Sequence, residues 1–435
     1  MFAASPRRVA IVAGVRTPFL RSGTDFKDMT AVELGTFAVR EVVARADLDP
    51  KTIDAVIYGT VIPSVAQTNI AREVIFLAGL PVTIPAYSVV RACASSNQAI
   101  TDAAEKIALG LADLIVAGGA ESLSDVPVLV GKKLRNRLLA LSKARDLGAK
   151  LAAFRGFSVK ELVPVPPAIA EYTTGLSMGE SAEKMAKENH ISRREQDELA
   201  LRSHQRAAAA WESGVLAAEV VPVPVPPKYE NVVTRDNIVR RDTSLEQMAK
   251  LSPVFDRKFG TITAANSSPL TDGGSAVVLM SEERAKAEGR EALAFIRSWA
   301  DAAVDPGGQL LQGPAYAAPI ALDRAGLKLS DMGRVEMHEA FAAQVLSNLQ
   351  GFASEIFARE KLGRPAPLGA VDPAIVNVSG GSIAIGHPFG ATGARLVTTL
   401  SNELARTGTE FGLLTVCAAG GLGHAMVLQN GQSKK

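Results

Sequence analysis

Cysteine is nearly missing from this chain: Cys93 and Cys417 are the only two in 435 residues. Two thiols cannot build a disulfide framework, so a reducing, cytoplasmic compartment is the expectation. A charge excess of one sign is also missing. Lys and Arg number 47 against 45 Asp and Glu, a net +2, which predicts no nucleic-acid-binding surface. No apolar run has the length and continuity of a membrane span. One long uncharged stretch, Ala374 to Ala394, is interrupted by Gly380-Gly381-Ser382 and His387-Pro388. Met1 to Arg8 lacks the layout of a signal peptide. The 37 glycines and 23 prolines have no repeating period, which excludes collagen and argues against wholesale disorder. What remains is an ordinary globular composition, 47% hydrophobic and 21% charged. A chain of this length makes two large domains or three smaller ones, and should bury roughly three quarters of its unfolded surface.

The first third alternates strand-like and helix-like segments. Val9–Ala13, Ala55–Tyr58, Ala86–Val90 and Leu114–Ala117 read as strands. Met29–Arg45, Asn69–Ala78 and the stretch from Cys93 to Ala108 read as helices, the last closed by Gly110. This is α/β patterning, and it predicts a mostly parallel sheet covered by helices. The last third repeats the plan. Arg45-Ala-Asp-Leu48 and Ala55-Val-Ile-Tyr58 line up with Arg324-Ala-Gly-Leu327 and Arg334-Val-Glu-Met337 at a constant offset of 279 (324 − 45). Leu114-Ile-Val-Ala-Gly-Gly lines up with Leu414-Thr-Val-Cys-Ala-Ala at 300 (414 − 114). An internal duplication into two α/β halves is the economical explanation.

The middle differs. Nine basic residues and a single acid, Asp146, fall between Gly131 and Lys160. Leu134, Leu138, Leu141, Leu147, Leu151 and Phe154 recur there at helical spacing. The stretch reads either as a basic amphipathic helix that meets anionic lipid, an acidic partner or substrate phosphates, or as a surface helix docked by its leucines. Ser192-Arg-Arg-Glu195 is a capping box for a helix ending near Gly214. Pro-rich links at Pro164–Pro167 and Pro222–Pro227 flank that region. The expected division is therefore 1–128 with 251–285, an inserted, largely helical 129–250, and 286–435.

Four side chains carry candidate chemistry. Cys93 follows a strand and opens a helix, where free backbone amides and the helix dipole would lower its pKa and could also hold an oxyanion. A buried structural cysteine is the other reading. His387 lies in Asn377-Val-Ser-Gly-Gly-Ser-Ile-Ala-Ile-Gly-His-Pro-Phe-Gly-Ala-Thr-Gly393, a glycine-rich setting suited to a general base. Gly381–Gly386 has neither dinucleotide nor P-loop spacing. Cys417 ends a strand in Thr415-Val-Cys-Ala-Ala-Gly-Gly-Leu-Gly423. His338 opens His338-Glu-Ala-Phe341, and Ala342 stands where a zinc helix needs its second His, so no metal site is expected.

These segments resemble the thiolases over essentially the whole length, and among them the bacterial 3-ketoacyl-CoA thiolases of the trifunctional fatty-acid-oxidation type. The His387 segment matches the family's Asn-x-x-Gly-Gly…Gly-His-Pro…Gly signature. Arg16-Thr-Pro-Phe19, Ala117-Gly-Gly-Ala-Glu121 and Asn266-Ser-Ser-Pro-Leu-Thr-Asp-Gly273 also look like thiolase segments. Two departures stand out. Most thiolases carry Asn where this chain has His338, a form that resembles the trifunctional β-subunit. The family's Cys-x-Gly-Gly-Gly is here Cys417-Ala-Ala-Gly-Gly421.

The resemblance implies thiolase-like duplicated α/β halves and ping-pong cleavage of a 3-ketoacyl-CoA by CoA. It implies Cys93 as nucleophile, His387 as its base and Cys417 as acid and base at the α-carbon. His338 would replace the Asn that positions a water in one oxyanion hole, shared with His387, while the amides of Cys93 and Ala419 would form the other. Met178, Ser268 and Phe341 would line the acyl-CoA site. Coenzyme A would be a co-substrate, with no cofactor. A homodimer or homotetramer is implied, with a hydratase/dehydrogenase subunit as partner and a peripheral membrane contact through 131–160. Other readings are an acetoacetyl-CoA thiolase, a decarboxylating ketoacyl synthase, against which Cys417 argues, and a catalytically idle CoA-binding partner.

Overall fold

The computed structural model describes residues 6–165 and 170–432. Pro166 and Pro167 of the first proline-rich link, and the first five residues of the N-terminal stretch, lie outside the described residues. The first half runs β1 (Val9–Arg16), α1 (Ala31–Arg45), β2 (Ala55–Gly59), α2 (Ile70–Ala78), β3 (Ala86–Val89), α3 (Ser95–Ala108) and β4 (Leu114–Glu121). Local chemistry sets the helix starts. Thr30 and Glu33 form a capping box ahead of α1, and the Asn69 side chain caps α2, each satisfying amides that have no partner inside the helix.

Val126–Ala170 forms a compact unit of its own. The leucine spacing predicts one basic helix there, and the structure has two instead. These are α4 (Lys132–Lys143) and α5 (Leu147–Ala153), parted at Ala144, whose ψ of 123° is extended. Asp146, the lone acid of the stretch, accepts from the Ala149 amide at 2.8 Å and so starts a second helix. Arg137 is a structural clasp within this unit. It pairs with Glu161 at 2.7 Å and donates to the carbonyls of Ala153, Arg155 and Gly156.

From Glu171 onward the chain belongs to the larger unit. There α6 (Met178–Glu188) and α7 (Arg193–Glu212) each open with a capping box, the second on Ser192 and Glu195 as the sequence predicts. Strand β5 (Thr271–Ser281) then inserts between β1 and β4, antiparallel to both. Because β2 is parallel to β3 and β4, every strand of this half except β5 points the same way.

The second half repeats the order with β6 (Ala294–Ala303), α8 (Gly313–Ala325), β7 (Arg334–Met337), α9 (Ala342–Ala353), α10 (Thr392–Thr407), β8 (Phe411–Ala418) and β9 (Leu422–Asn430). Here β9 is the strand that runs against its neighbours. A single bridge between Val335 and Val376 stands where β3 stands in the first half. The strand order is β7-β8-β9-β6-β1-β5-β4-β2-β3, the halves joining where β1 meets β6 over Val9 to Ile11. Register corrects one of the two sequence offsets. Ala55 pairs with Ile115 and its counterpart Arg334 pairs with Gly412, so β4 and β8 align at 297 (412 − 115), not 300.

Alternation along the strands sorts side chains into layers. Val56, Tyr58, Leu114 and Val116 pack with Val39 and Val42 of α1 and Val74 and Ile75 of α2. Ile57, Ile115 and Ala117 point the other way, onto Ile100 and Ala104 of α3 and Leu396 and Leu400 of α10. That same core holds Leu414, Val416, Met426 and Leu428 of the second half. Leu413, Val427 and Met337 face out onto α8 and α9. The layers thus read helix, sheet, helix, sheet, helix, with α3 and α10 enclosed in the middle. Among the described residues no helix is long and apolar enough to cross a membrane.

Candidate active site

The two enclosed helices carry the reactive groups at their entries. Cys93 lies two residues before the first residue of α3, and His387 five before α10. Backbone contacts set the His387 loop across the ends of the first half's strands. Its amide donates to Thr271 Oγ1 at 2.7 Å, and the Gly390 amide donates to Glu121 at 2.9 Å. A Cβ on Gly119 would collide with the Gly390 carbonyl, so glycine is required for this approach. Glu121 also accepts from the amides of Val61 and Ile62 and from the Thr60 hydroxyl. One buried carboxylate at the end of β4 thus ties two loops together.

His387 Nε2 lies 3.2 Å from Cys93 Sγ. On the far side of the ring, Nδ1 is 2.7 Å from Thr392 Oγ1, whose hydroxyl donates to the Pro388 carbonyl at 2.9 Å. A hydroxyl has one proton, and this one is spent on Pro388, so Nδ1 must be the donor to Thr392. Nε2 is left with its lone pair facing the thiol, which is the form a base needs. The His338 ring lies against His387, tilted by 47° with centroids 4.1 Å apart, and its Nδ1 is 2.9 Å from Ser382 Oγ. A ring nitrogen of each histidine and the Cys93 sulfur all lie within 4.8 Å of one another. One thiol and two imidazoles could ligate a metal, but the direct bond between Nε2 and Sγ is the arrangement of a base and its nucleophile.

Electrostatics corrects the expectation for the thiol. The Ala419 amide and the Cys93 amide both reach the sulfur and pull its pKa down, but burial outweighs them and pushes it up to about 12. Burial and the Arg395 charge push His387 down to about 3. At neutral pH the resting pair is therefore a neutral thiol and a neutral imidazole. Cys417 is buried, and burial with the nearby Cys93 holds its thiol well above the usual range. Burial, His387 and Arg395 keep His338 neutral too.

The turn after Cys417 accommodates its two alanines because only Gly420 and Gly421 have positive φ. The Gly420 amide is held by Glu171 at 2.6 Å. Phe341 shares a small apolar cluster with Cys417, Met185 and Leu311, and Met178 packs against that cluster. Ser268 stands next to it, its amide donating to the Ala340 carbonyl at 2.9 Å. Met178 and Ser268 stay outside the trio of Cys93, His338 and His387.

Sequence reasoning missed the supporting residues Thr392, Ser382, Arg395, Glu339 and Glu171. Glu339 accepts from Ser203, Asn377 and the Ile383 amide, and a Cβ on Gly381 would strike its carboxylate. The signal available was that Ser382, Thr392 and Arg395 sit inside or just after the glycine-rich segment, and that Glu339 adjoins His338.

The structure is thus a duplicated α/β body with a Cys–His pair at the mouths of its two central helices. The thiolase N-terminal domain family matches residues 9–283 and the thiolase C-terminal domain family matches 290–430. The chain belongs to the thiolase family. It is 52% identical to the 3-ketoacyl-CoA thiolase of Shewanella sp. (strain W3-18-1), over 98% of both chains. With that of Shewanella woodyi it shares 53% over 97% of both. Among solved structures, the Bacillus anthracis acetyl-CoA acetyltransferase superposes with a TM-score of 0.83 at 33% identity, covering 98% of this chain and all of the other. Human mitochondrial 3-ketoacyl-CoA thiolase in complex with CoA gives 0.81 at 33%, covering 98% of both.

Proposed function

We propose that this protein is a 3-ketoacyl-CoA thiolase, cleaving 3-ketoacyl-CoA with CoA to acetyl-CoA and a shortened acyl-CoA in fatty-acid degradation. The observation that carries this reading is the 3.2 Å contact between His387 Nε2 and Cys93 Sγ under the Ala419 amide. In this reading the thiol proton passes to His387 as the sulfur attacks the C3 carbonyl. The C2–C3 bond breaks, the acyl group stays on Cys93, and the acetyl-CoA carbanion takes a proton from Cys417. The Cys417 thiolate then removes the proton of an incoming CoA thiol, which attacks the acyl-enzyme. Cys93 leaves and recovers its proton from His387. The amides of Cys93 and Ala419 stabilise one oxyanion, His338 and protonated His387 the other. Phe341, Met178 and Ser268 contact the acyl-CoA.

The resting neutrality of the pair fits this sequence, because a thiolate formed only with substrate bound is not exposed to oxidants or other electrophiles between turnovers. The test is the thiolysis rate on 3-ketoacyl-CoA substrates from short to long chains. A rate rising with chain length is the expected result. Activity confined to acetoacetyl-CoA would assign the protein instead to the acetyl-CoA acetyltransferase type represented by the Bacillus anthracis structure.

A cytoplasmic homodimer or homotetramer, with a hydratase/dehydrogenase subunit as partner, completes the reading. Through the basic unit around α4 and α5, which leaves Leu138, Leu139, Leu147 and Leu151 exposed, it touches anionic membrane. Vesicles containing anionic lipid should retain the protein at low salt and release it at high salt. Equal retention at both, or none, would remove the membrane contact.

A further inference from the structure

The two adjoining imidazoles are held by different hydroxyls of one segment, and their hydrogen bonds are wired in opposite senses. Arg395 is fully buried, paired with Glu336 at 2.8 Å, and donates from Nη2 to Ser382 Oγ at 2.9 Å. A guanidinium has no lone pair to offer, so the Ser382 oxygen can only accept from it. The hydroxyl proton then remains, and His338 Nδ1, 2.9 Å away, is its one described acceptor. An Nδ1 that accepts carries the lone pair. The proton of a neutral imidazole must then sit on Nε2.

We infer that Ser382 and Arg395 are positioning residues that lock His338 in its Nε2–H tautomer, so that this ring offers the substrate carbonyl a donor where His387 offers Cys93 a lone pair. This rests on the thiolase reading for the identity of the carbonyl. It adds to the oxyanion role proposed for His338 the residues that fix which ring nitrogen can donate. His338 Nε2 is buried and has no partner among the described residues, a costly state for an N–H unless a ligand oxygen fills it. The other tautomer would aim a lone pair at a developing oxyanion and repel it. Thr392 and Ser382 thus divide two like rings, 4.1 Å apart, into a base and a donor.

The experiment labels the five histidines with 15N and records spectra that separate protonated from bare ring nitrogens. His338→Asn and His387→Asn assign the two resonances of interest. The expected result is a proton on Nε2 of His338 and on Nδ1 of His387. In Ser382→Ala the His338 ring should lose that preference, and kcat should fall about 10²-fold, the usual effect of losing one oxyanion donor, with KM little changed. Ser382→Thr keeps the hydroxyl and should restore both. A proton on Nδ1 of His338 in the unmodified protein, or Ser382→Ala with full kcat, would overturn the inference. If Ser382→Ala does not fold, the unmodified spectrum still decides. Absence of thiolysis with both tautomers as expected would overturn the thiolase reading and leave the lock standing.

Discussion

The two halves of this molecule share a topology and differ at the ends of their strands. By the 279 offset, Gly59 of the first half stands where His338 stands in the second, and Thr60 where Glu339 stands. A Cβ on Gly59 would press on the Ser95 backbone, so α3 leaves no room for a side chain there. The second half opens the same position to an imidazole. By register Ala120 and Glu121 correspond to Cys417 and Ala418. At the helix entries each half keeps a reactive group, Cys93 before α3 and His387 before α10. In the proposed mechanism the first half therefore supplies the nucleophile, beside a carboxylate that ties loops. The second supplies the groups that move protons. Duplication delivered two equivalent openings facing each other, and only their combination brings His387 Nε2 to 3.2 Å from Cys93 Sγ.

Breaking the nucleophile should have the largest effect. Cys93→Ala is expected to lower kcat by about 10⁴-fold or more, and mass spectrometry after incubation with acyl-CoA should find no acyl adduct. Retained activity would move the nucleophile to the other half. Next in size is Cys417→Ala, where the loss of a proton donor and acceptor should cost about 10³-fold. The same variant should still acquire acyl groups on Cys93 from an acyl-CoA, though more slowly, because His387 takes the Cys93 proton and a departing CoA thiolate, unlike a carbanion, can leave without the Cys417 acid. Loss of labelling as well would merge two roles that the comparison keeps apart.

Glu121→Ala addresses the tie rather than the chemistry. It leaves the amides of Val61, Ile62 and Gly390 without their acceptor, and stability should fall by about 3 kcal/mol, read as a lower denaturation midpoint. An unchanged midpoint would show that the first half does not depend on this carboxylate.

The smallest effect is the loss of stability at mildly acidic pH. Every histidine lies at or beyond residue 190, and burial with Arg395 holds His387 down to about 3. Unfolded, the same group takes a proton at about 6.5. Between those values the unfolded state binds more protons, so stability is lost as the pH falls from about 6.5 toward 3. His387→Asn should make the decline in Tm over that window shallower. An identical slope would mean that His387 is not held neutral by the fold.

Much of the fold was legible because each element announces itself locally. Short continuous apolar runs marked β1, β2 and β4, Ser192 and Glu195 marked the start of α7, and the 279 offset exposed the duplication. The offset of 300 failed because similar apolar strand residues can slide by a few positions, and only hydrogen-bond register fixes the pairing. The basic segment misled for a related reason. Leucine spacing reports a helical face but cannot see that Asp146 caps a new helix in the middle of it.

At the site, the sequence alone determined the reactive inventory: Cys93 at a strand-to-helix turn, His387 among glycines, Cys417 and His338 at strand ends. Those are properties of a residue type in its local setting, and the resemblance to the thiolases rests on them. What only the tertiary structure decided is the state of those groups. The sequence context of Cys93 argued for a lowered pKa, and burial reversed it. Which nitrogen of each histidine holds the proton depends on Thr392, Ser382 and Arg395, the last reaching Ser382 and Glu336 from inside the central layer. Desolvation and hydrogen-bond direction are properties of the packed interior, and no stretch of chain read by itself contains them.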